Sequence, residues 1–245
     1  MPRSHRNLPA PRAFLAKIYP PAASSGARRR SRPAVRGLLG LEADLAHGSL
    51  YVHPQLPAHW KSVRFGRFAI GAHRLDGEIH QRPGQTSMTL SYDGGPLDVR
   101  LRPVLPFAAR LRRVLVNGKP MAARPSDSAK PSAVAIDFTL NRQTEVVIEY
   151  DGGVGIVPPE PRPEPGDRTT TLKILRVEQK TDVKGGQIAL MLAGLGGRSY
   201  TLDLVTTVPG LTAEGAEVQK TDNGYRLKIS FEGPDYVTRQ IVLRF

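Results

Sequence analysis

From Ser49 onward the chain alternates apolar and polar residues in short runs, each closed by Gly, Pro, Asn or Asp. Side chains of a strand point alternately to opposite faces, so a period of two marks strands with one buried and one wetted face. The runs fall at 49–53, 62–70, 74–81, 86–92, 97–104, 111–116, 133–140 and 145–150. Eight strands at this spacing predict an antiparallel two-sheet sandwich. DGGP at 93–96 reads as a tight hairpin joining two of them, and VNGK at 116–119 as a further Asn-Gly turn, because Gly and Asn tolerate positive φ.

GIVPPEPRPEPGDRT at 155–169 breaks the pattern with five prolines and no alternating face. Proline fixes φ and donates no backbone N–H, so 154–169 is expected to be a stiff linker. Beyond it, strands are expected at 170–180, 186–193, 199–206, 214–220, 225–231 and 236–244. Tyr225, Leu227, Ile229 and Phe231 keep one phase, whereas the run Leu172, Ile174, Leu175, Val177 changes phase at Leu175, which predicts a bulge. The expected fold class is therefore all-β: a sandwich over 37–153, the linker, and a smaller sandwich over 170–245. A short helical remnant at 35–45 precedes them, with Leu38, Leu39, Leu41 and Leu45 as its apolar stripe and Gly40 near its stop.

The net charge of +13 suggests a polyanion partner until the charges are located. Nine of the 35 Lys and Arg lie in residues 1–36, which hold no acidic residue. The remainder carries 26 basic against 22 acidic residues, a balance of +4. The excess sits in a Pro-, Ala- and Arg-rich tail without helical or strand period, expected to be disordered. GARRRSR is a short basic cluster without interleaved aromatics, so a nucleic-acid arm is disfavoured. The apolar patch from Phe14 to Tyr19 is interrupted by Lys17 and closed by Pro20 and Pro21, against a secretory signal. With no run of about 18 apolar residues, no membrane helix is expected, and the default compartment is the cytoplasm. The absence of cysteine excludes disulfides, zinc-thiolate sites, iron–sulfur clusters and a Cys nucleophile.

The most distinctive stretch is LYVHPQLPAHWKSVRF at 50–65, where a strand runs into Pro54 and Pro57, the only tryptophan follows at Trp60, and a second strand begins. Together with GLLGLE at 37–42 it resembles the junction in bacterial glycoside hydrolases of the six-hairpin (α/α)6-barrel type, including debranching, trehalase-like and rhamnosidase-like groups. In those enzymes a β-sandwich follows the last barrel helix. The resemblance covers 33–150 well and 170–245 loosely. It implies a partner surface for a helical catalytic domain, formed here by Leu38, Leu39, Leu41 and Trp60. Such a barrel needs roughly 200 residues upstream, and only 41 precede Glu42. The barrel and its acid–base carboxylates are thus expected to be missing, with the tail a product of truncation or a shifted reading frame.

Few residues offer chemistry of their own. Asp76 and Glu78 stand two apart on a predicted strand, about 7 Å from each other, with Gly77 between them suggesting a bulge. Exposed strand charge is the plainer reading, and no catalytic residue is assigned. His47, His53, His59, His73 and His80 crowd one region but match no metal-binding spacing, so no metal or cofactor is expected. GLGGRS at 194–199 joins two β runs rather than a strand and a helix, and no G-x-S-x-G elbow occurs. Sugar faces stack on aromatic rings, which makes Trp60, Tyr51 and Tyr92 the carbohydrate-contact candidates, while Phe65 and Phe68 read as core. Three functions follow: a non-catalytic accessory β region, a self-standing carbohydrate-binding module, or a basic nucleic-acid-binding protein.

Overall fold

The structure, a computed structural model, describes residues 16–18, 35–125, 133–160, 170–182 and 185–245. The first half contains β1 (Ala16–Ile18), β2 (Glu42–Asp44), β3 (Ser49–Val52), β4 (Ser62–Ile70), β5 (His73–Arg82) and β6 (Gln85–Tyr92). It continues through β7 (Leu97–Leu101), β8 (Arg110–Val116), β9 (Lys119–Met121), β10 (Arg124–Pro125), β11 (Val134–Leu140) and β12 (Gln143–Asp151). These form a seven-stranded sheet, β1-β4-β5-β6-β12-β8-β9, and a five-stranded sheet, β10-β11-β7-β3-β2. The second half contains β13 (Gly155–Val157), β14 (Lys173–Asp182), β15 (Gly185–Leu195) and β16 (Arg198–Val205). It ends with β17 (Thr212–Glu214), β18 (Glu217–Thr221), β19 (Gly224–Phe231) and β20 (Tyr236–Arg244). Its two four-stranded sheets are β13-β16-β19-β18 and β14-β15-β20-β17.

The period of two becomes two cores. In β7, Leu97, Val99 and Leu101 are buried while Asp98 and Arg100 face water. In β11 and β12, Ile136, Leu140, Val146 and Ile148 join the same cluster. Leu190, Leu202, Leu227, Ile229 and Leu243 build the second cluster. The predicted bulge is present, with the β14/β15 register shifting between Ile174 and Arg176 and Leu175 turned outward. VNGK is the β8–β9 turn, with Asn117 and Gly118 both at positive φ.

Several expectations change. DGGP does not close a hairpin: β6 and β7 lie in different sheets, so the turn is a corner between layers. After β3 the chain runs through the β4–β5–β6 meander in the opposite sheet, and an even number of reversals brings β7 back parallel to β3. Gly77 marks no bulge in its own strand. The register shift lies in β4 between Phe65 and Phe68, and Gly77 is bare because the Phe65 ring covers it. The helical remnant is a single π-helical turn, Val35–Leu39, followed by β2, so Leu41 and Leu45 lie beyond it. Gly40 ends the turn at φ 55°, where a Cβ would lie 2.6 Å from the His53 carbonyl oxygen. The tail expected to be disordered lies outside the described residues except for Ala16–Ile18, which pair parallel with β4, and Val35 and Arg36, which begin the π-helical turn. At the linker, Val154 is buried in the second core and Gly155–Val157 pair with β16, while 161–169 lie outside the described residues.

The two sandwiches adjoin at defined contacts. Val154 and Phe107 exchange backbone hydrogen bonds of 2.8 and 3.1 Å, and Phe107 packs against the second core. The buried Thr206 hydroxyl donates to the Gly153 carbonyl at 2.7 Å, and the Ala108 N–H donates to Gln179 Oε1 at 2.8 Å. Ala58 lies over Gly155 so closely that a Cβ there would fall 2.5 Å from the Ala58 methyl. The two-proline corner is therefore wedged against the chain's own second sandwich.

Candidate functional site

Strand β3 ends at Val52, and the chain crosses to β4 through 53–61. Pro54 is buried, and prolines at 54 and 57 hold φ while leaving no N–H to satisfy. The corner is tied by His53 N–H to Leu39 O (3.0 Å) and Gln55 N–H to Leu38 O (2.7 Å). Trp60 N–H closes a turn onto Pro57 O at 3.0 Å. Gln81 of β5 then donates its side-chain amide to Pro57 O (3.3 Å) and Trp60 O (3.0 Å). The indole, half-buried against the first core, is thus presented from a backbone fixed on several sides.

Trp60 lines a cleft of about 380 Å³ at the junction of the two sandwiches. Ala58, Pro106 and Gly155 give it apolar surface, and Lys61, Thr207 and Asn223 give it polar groups. That volume lies within the range of small-molecule sites, and apolar walls with a few polar groups are their usual lining. A second groove, about 500 Å³, shares Arg82, Pro83, Gly84, Tyr150, Gly152 and Thr207 with it and extends to Arg112, Arg113 and Glu149. The Glu149 carboxylate takes two hydrogen bonds from Arg113, at 2.7 and 3.0 Å. These hold it below the ordinary glutamate range. Burial pushes the Tyr150 phenol above the ordinary tyrosine range.

The other candidates fare differently. Tyr92 is buried, its ring over Gly94 and edge-on to His73 at 5.7 Å, so it has no face for a sugar. Tyr51 is exposed, but Arg100 lies over its ring at 5.2 Å and donates to its hydroxyl at 2.7 Å. It lines a separate hollow with Arg100 and Arg102, away from Trp60. Leu39 and Leu41, expected to face a catalytic barrel, are sunk in the first core at 0% and 1% exposure. Leu38 packs partly against the same core. Asp76 accepts the Arg67 N–H at 2.9 Å, and both oxygens of Glu78 accept from the Arg64 Nη2 at 2.9 and 2.8 Å. Both carboxylates are thus occupied in holding strands β4 and β5 together. Phe65 is core, as expected.

The histidines disperse. His47 bonds Asp44 at 2.8 Å, His80 lies 3.2 Å from Glu78, His73 3.5 Å from Asp93 and His59 3.6 Å from Glu160. Among the described residues no three His, Asp or Glu side chains converge, and no helix is long and apolar enough to cross a membrane. Sequence reasoning missed Arg82, Gln81 and Arg112. Gln81 has no motif, and the placement of Arg112 depends on a strand irregularity that no Gly or Pro marks.

No protein-family model matches the chain, and no curated protein matches it. Among solved structures, a GH127 β-L-arabinofuranosidase of Geobacillus stearothermophilus T6 aligns at TM-score 0.31 and 11% identity, covering 88% of this chain and 34% of that one. A cycloalternan-forming enzyme of Listeria monocytogenes, in complex with a pentasaccharide substrate, aligns at TM-score 0.37 and 9% identity over 80% of this chain and 21% of its own. A chain described as a glycoside hydrolase aligns at TM-score 0.24 and 12% identity over 71% and 32%. The chain spans about a third or less of the length of these structures. Its structural neighbours are glycoside hydrolases, at a similarity too low to transfer an activity.

Proposed function

We propose that this chain is a non-catalytic β region of a carbohydrate-active protein, and that it touches glycan in the cleft beside Trp60. The observation that carries this reading is the half-buried indole that lines the cleft, held on a two-proline corner and closed in by the second sandwich. A sugar ring presents C–H groups on its faces and hydroxyls around its edge. It therefore matches a fixed aromatic surface bordered by Lys61, Thr207 and Asn223. The sequence resemblance of 50–65 to the sandwich of six-hairpin glycosidases agrees, and a helical catalytic domain is the proposed working partner. With Leu39 and Leu41 consumed by the core, such a partner meets other surfaces.

The test is a glycan array probed with the full chain and with Trp60→Ala, with thermal unfolding as a control for folding. Binding lost in Trp60→Ala while Trp60→Phe retains part of it supports the reading. Glycan binding indifferent to residue 60 refutes it. Turnover of α-glucan, trehalose or rhamnoside substrates that disappears in Asp76→Asn or Glu78→Gln refutes the non-catalytic part.

A further inference from the structure

The groove beyond Trp60 has a charge pattern that the cleft alone does not explain. Strand β8 is paired with β12 through Glu149↔Arg113 and then Tyr150↔Leu111, which leaves Arg112 without an opposite residue. It is the extra residue of a β-bulge. Consecutive residues of a regular strand face opposite sides, yet Arg112 and Arg113 both line the same groove. The bulge accounts for this, since an inserted residue re-aims the side chains beside it.

Arg113 is taken up by Glu149 in a bidentate pair. Asp151, the other carboxylate in the groove, stands opposite Arg110 in register. Arg112 acts on Glu149 only through space, and neither Arg112 nor Arg82 forms an ion pair with a carboxylate among the described residues. Two exposed guanidinium groups therefore remain in a groove continuous with the Trp60 cleft. Guanidinium matches a planar carboxylate with two parallel hydrogen bonds, which is the geometry an Arg offers best.

We infer that the joined groove takes an acidic oligosaccharide, one sugar stacked on Trp60 and the uronate carboxylate of a neighbouring sugar held by Arg82 and Arg112. This rests on the glycan reading above and adds the chemical class of the ligand. Single-stranded nucleic acid also combines stacking with cationic grooves. It carries a charge on every nucleotide, however, whereas Glu149 and Asp151 line this groove and Trp60 is the chain's only tryptophan. A sparsely charged chain fits better than a polyanion.

The test measures calorimetric affinities of the full-length chain for a xylotriose carrying a single glucuronate, for the methyl ester of that glucuronate, and for a short oligo-dT, at low and moderate salt. The acid is expected to bind about tenfold or more tighter than the ester. That preference disappears in Arg82→Ala/Arg112→Ala, while Trp60→Ala weakens both ligands. Equal affinity for acid and ester, still sensitive to Trp60, overturns this inference and leaves the glycan reading standing. Acid preference that persists in the double variant assigns it to the basic tail and overturns the inference. Tighter binding of oligo-dT replaces it with a nucleic-acid site, and no binding of any ligand removes both readings.

Discussion

Gly77 offers a quantitative check on the packing of the first sandwich. It sits in β5 between Phe65 of β4 and Leu90 of β6, and a Cβ added there would lie 2.3 Å from Phe65 Cζ, 2.5 Å from Cε1 and 3.0 Å from Leu90 Cδ2. Restoring ordinary contact requires the ring to retreat by about 1 Å, and overpacking of this kind costs about 1–3 kcal/mol. Phe65 is only 3% exposed and cannot swing into solvent. Gly77 is not in the left-handed region, so alanine strains no backbone and recovers about 0.4–1 kcal/mol through the unfolded chain. Gly77→Ala should therefore destabilise by about 1–2 kcal/mol. Urea denaturation followed by tryptophan emission measures it, because the only tryptophan lies in this sandwich. Combining Gly77→Ala with Phe65→Leu should restore about 1 kcal/mol relative to the sum of the single changes. An unchanged or raised midpoint for Gly77→Ala, or strict additivity in the double variant, refutes the packing argument.

Further predictions concern the junction and its charges. Thr206→Val keeps the shape but strands the buried Gly153 carbonyl, and should lower stability by about 1–3 kcal/mol in the same assay. Glu149 has a depressed pKa in the folded state, through Arg113, as does Asp44 through His47. Their contribution is present above the unfolded carboxyl pKa values near 4 and fades as pH falls through the lower folded ones. Glu149→Gln should therefore flatten the stability profile below about pH 4. Tyr150 has the opposite sign: its raised pKa gives stability that is complete below about pH 10 and lost above it, and Tyr150→Phe should flatten that alkaline limb.

Much of this architecture is written in residue alternation, because each strand has one face in a core and one in water. Runs such as Tyr225 to Phe231 define their own inward face, and Leu175 betrays its bulge by breaking phase. What alternation cannot carry is the identity of the partner strand. DGGP has the chemistry of a tight turn whether the next strand pairs in the same sheet or crosses to the other, and here it crosses. Short elements are also hidden: β2 and β13 have three residues each, too few to show a period, and their leucine- and proline-rich surroundings suggest helix and linker instead. The site divides along the same line. Trp60 is visible as a lone tryptophan after two prolines, and the structure gives it the second sandwich as its neighbour. Tyr92 looked equivalent, but its ring folds back over Gly94 and is buried. Arg112 reaches the groove through a bulge set by strand pairing, which only the folded chain reveals.

The single tryptophan makes the central claim directly measurable. Trp60 emission recorded during titration with the singly acidic glucuronate-bearing xylotriose should shift to the blue and saturate as the sugar displaces water from the indole, with a midpoint matching the calorimetric affinity. Saturable glycan binding that leaves that emission unmoved would place the contact elsewhere and contradict the account.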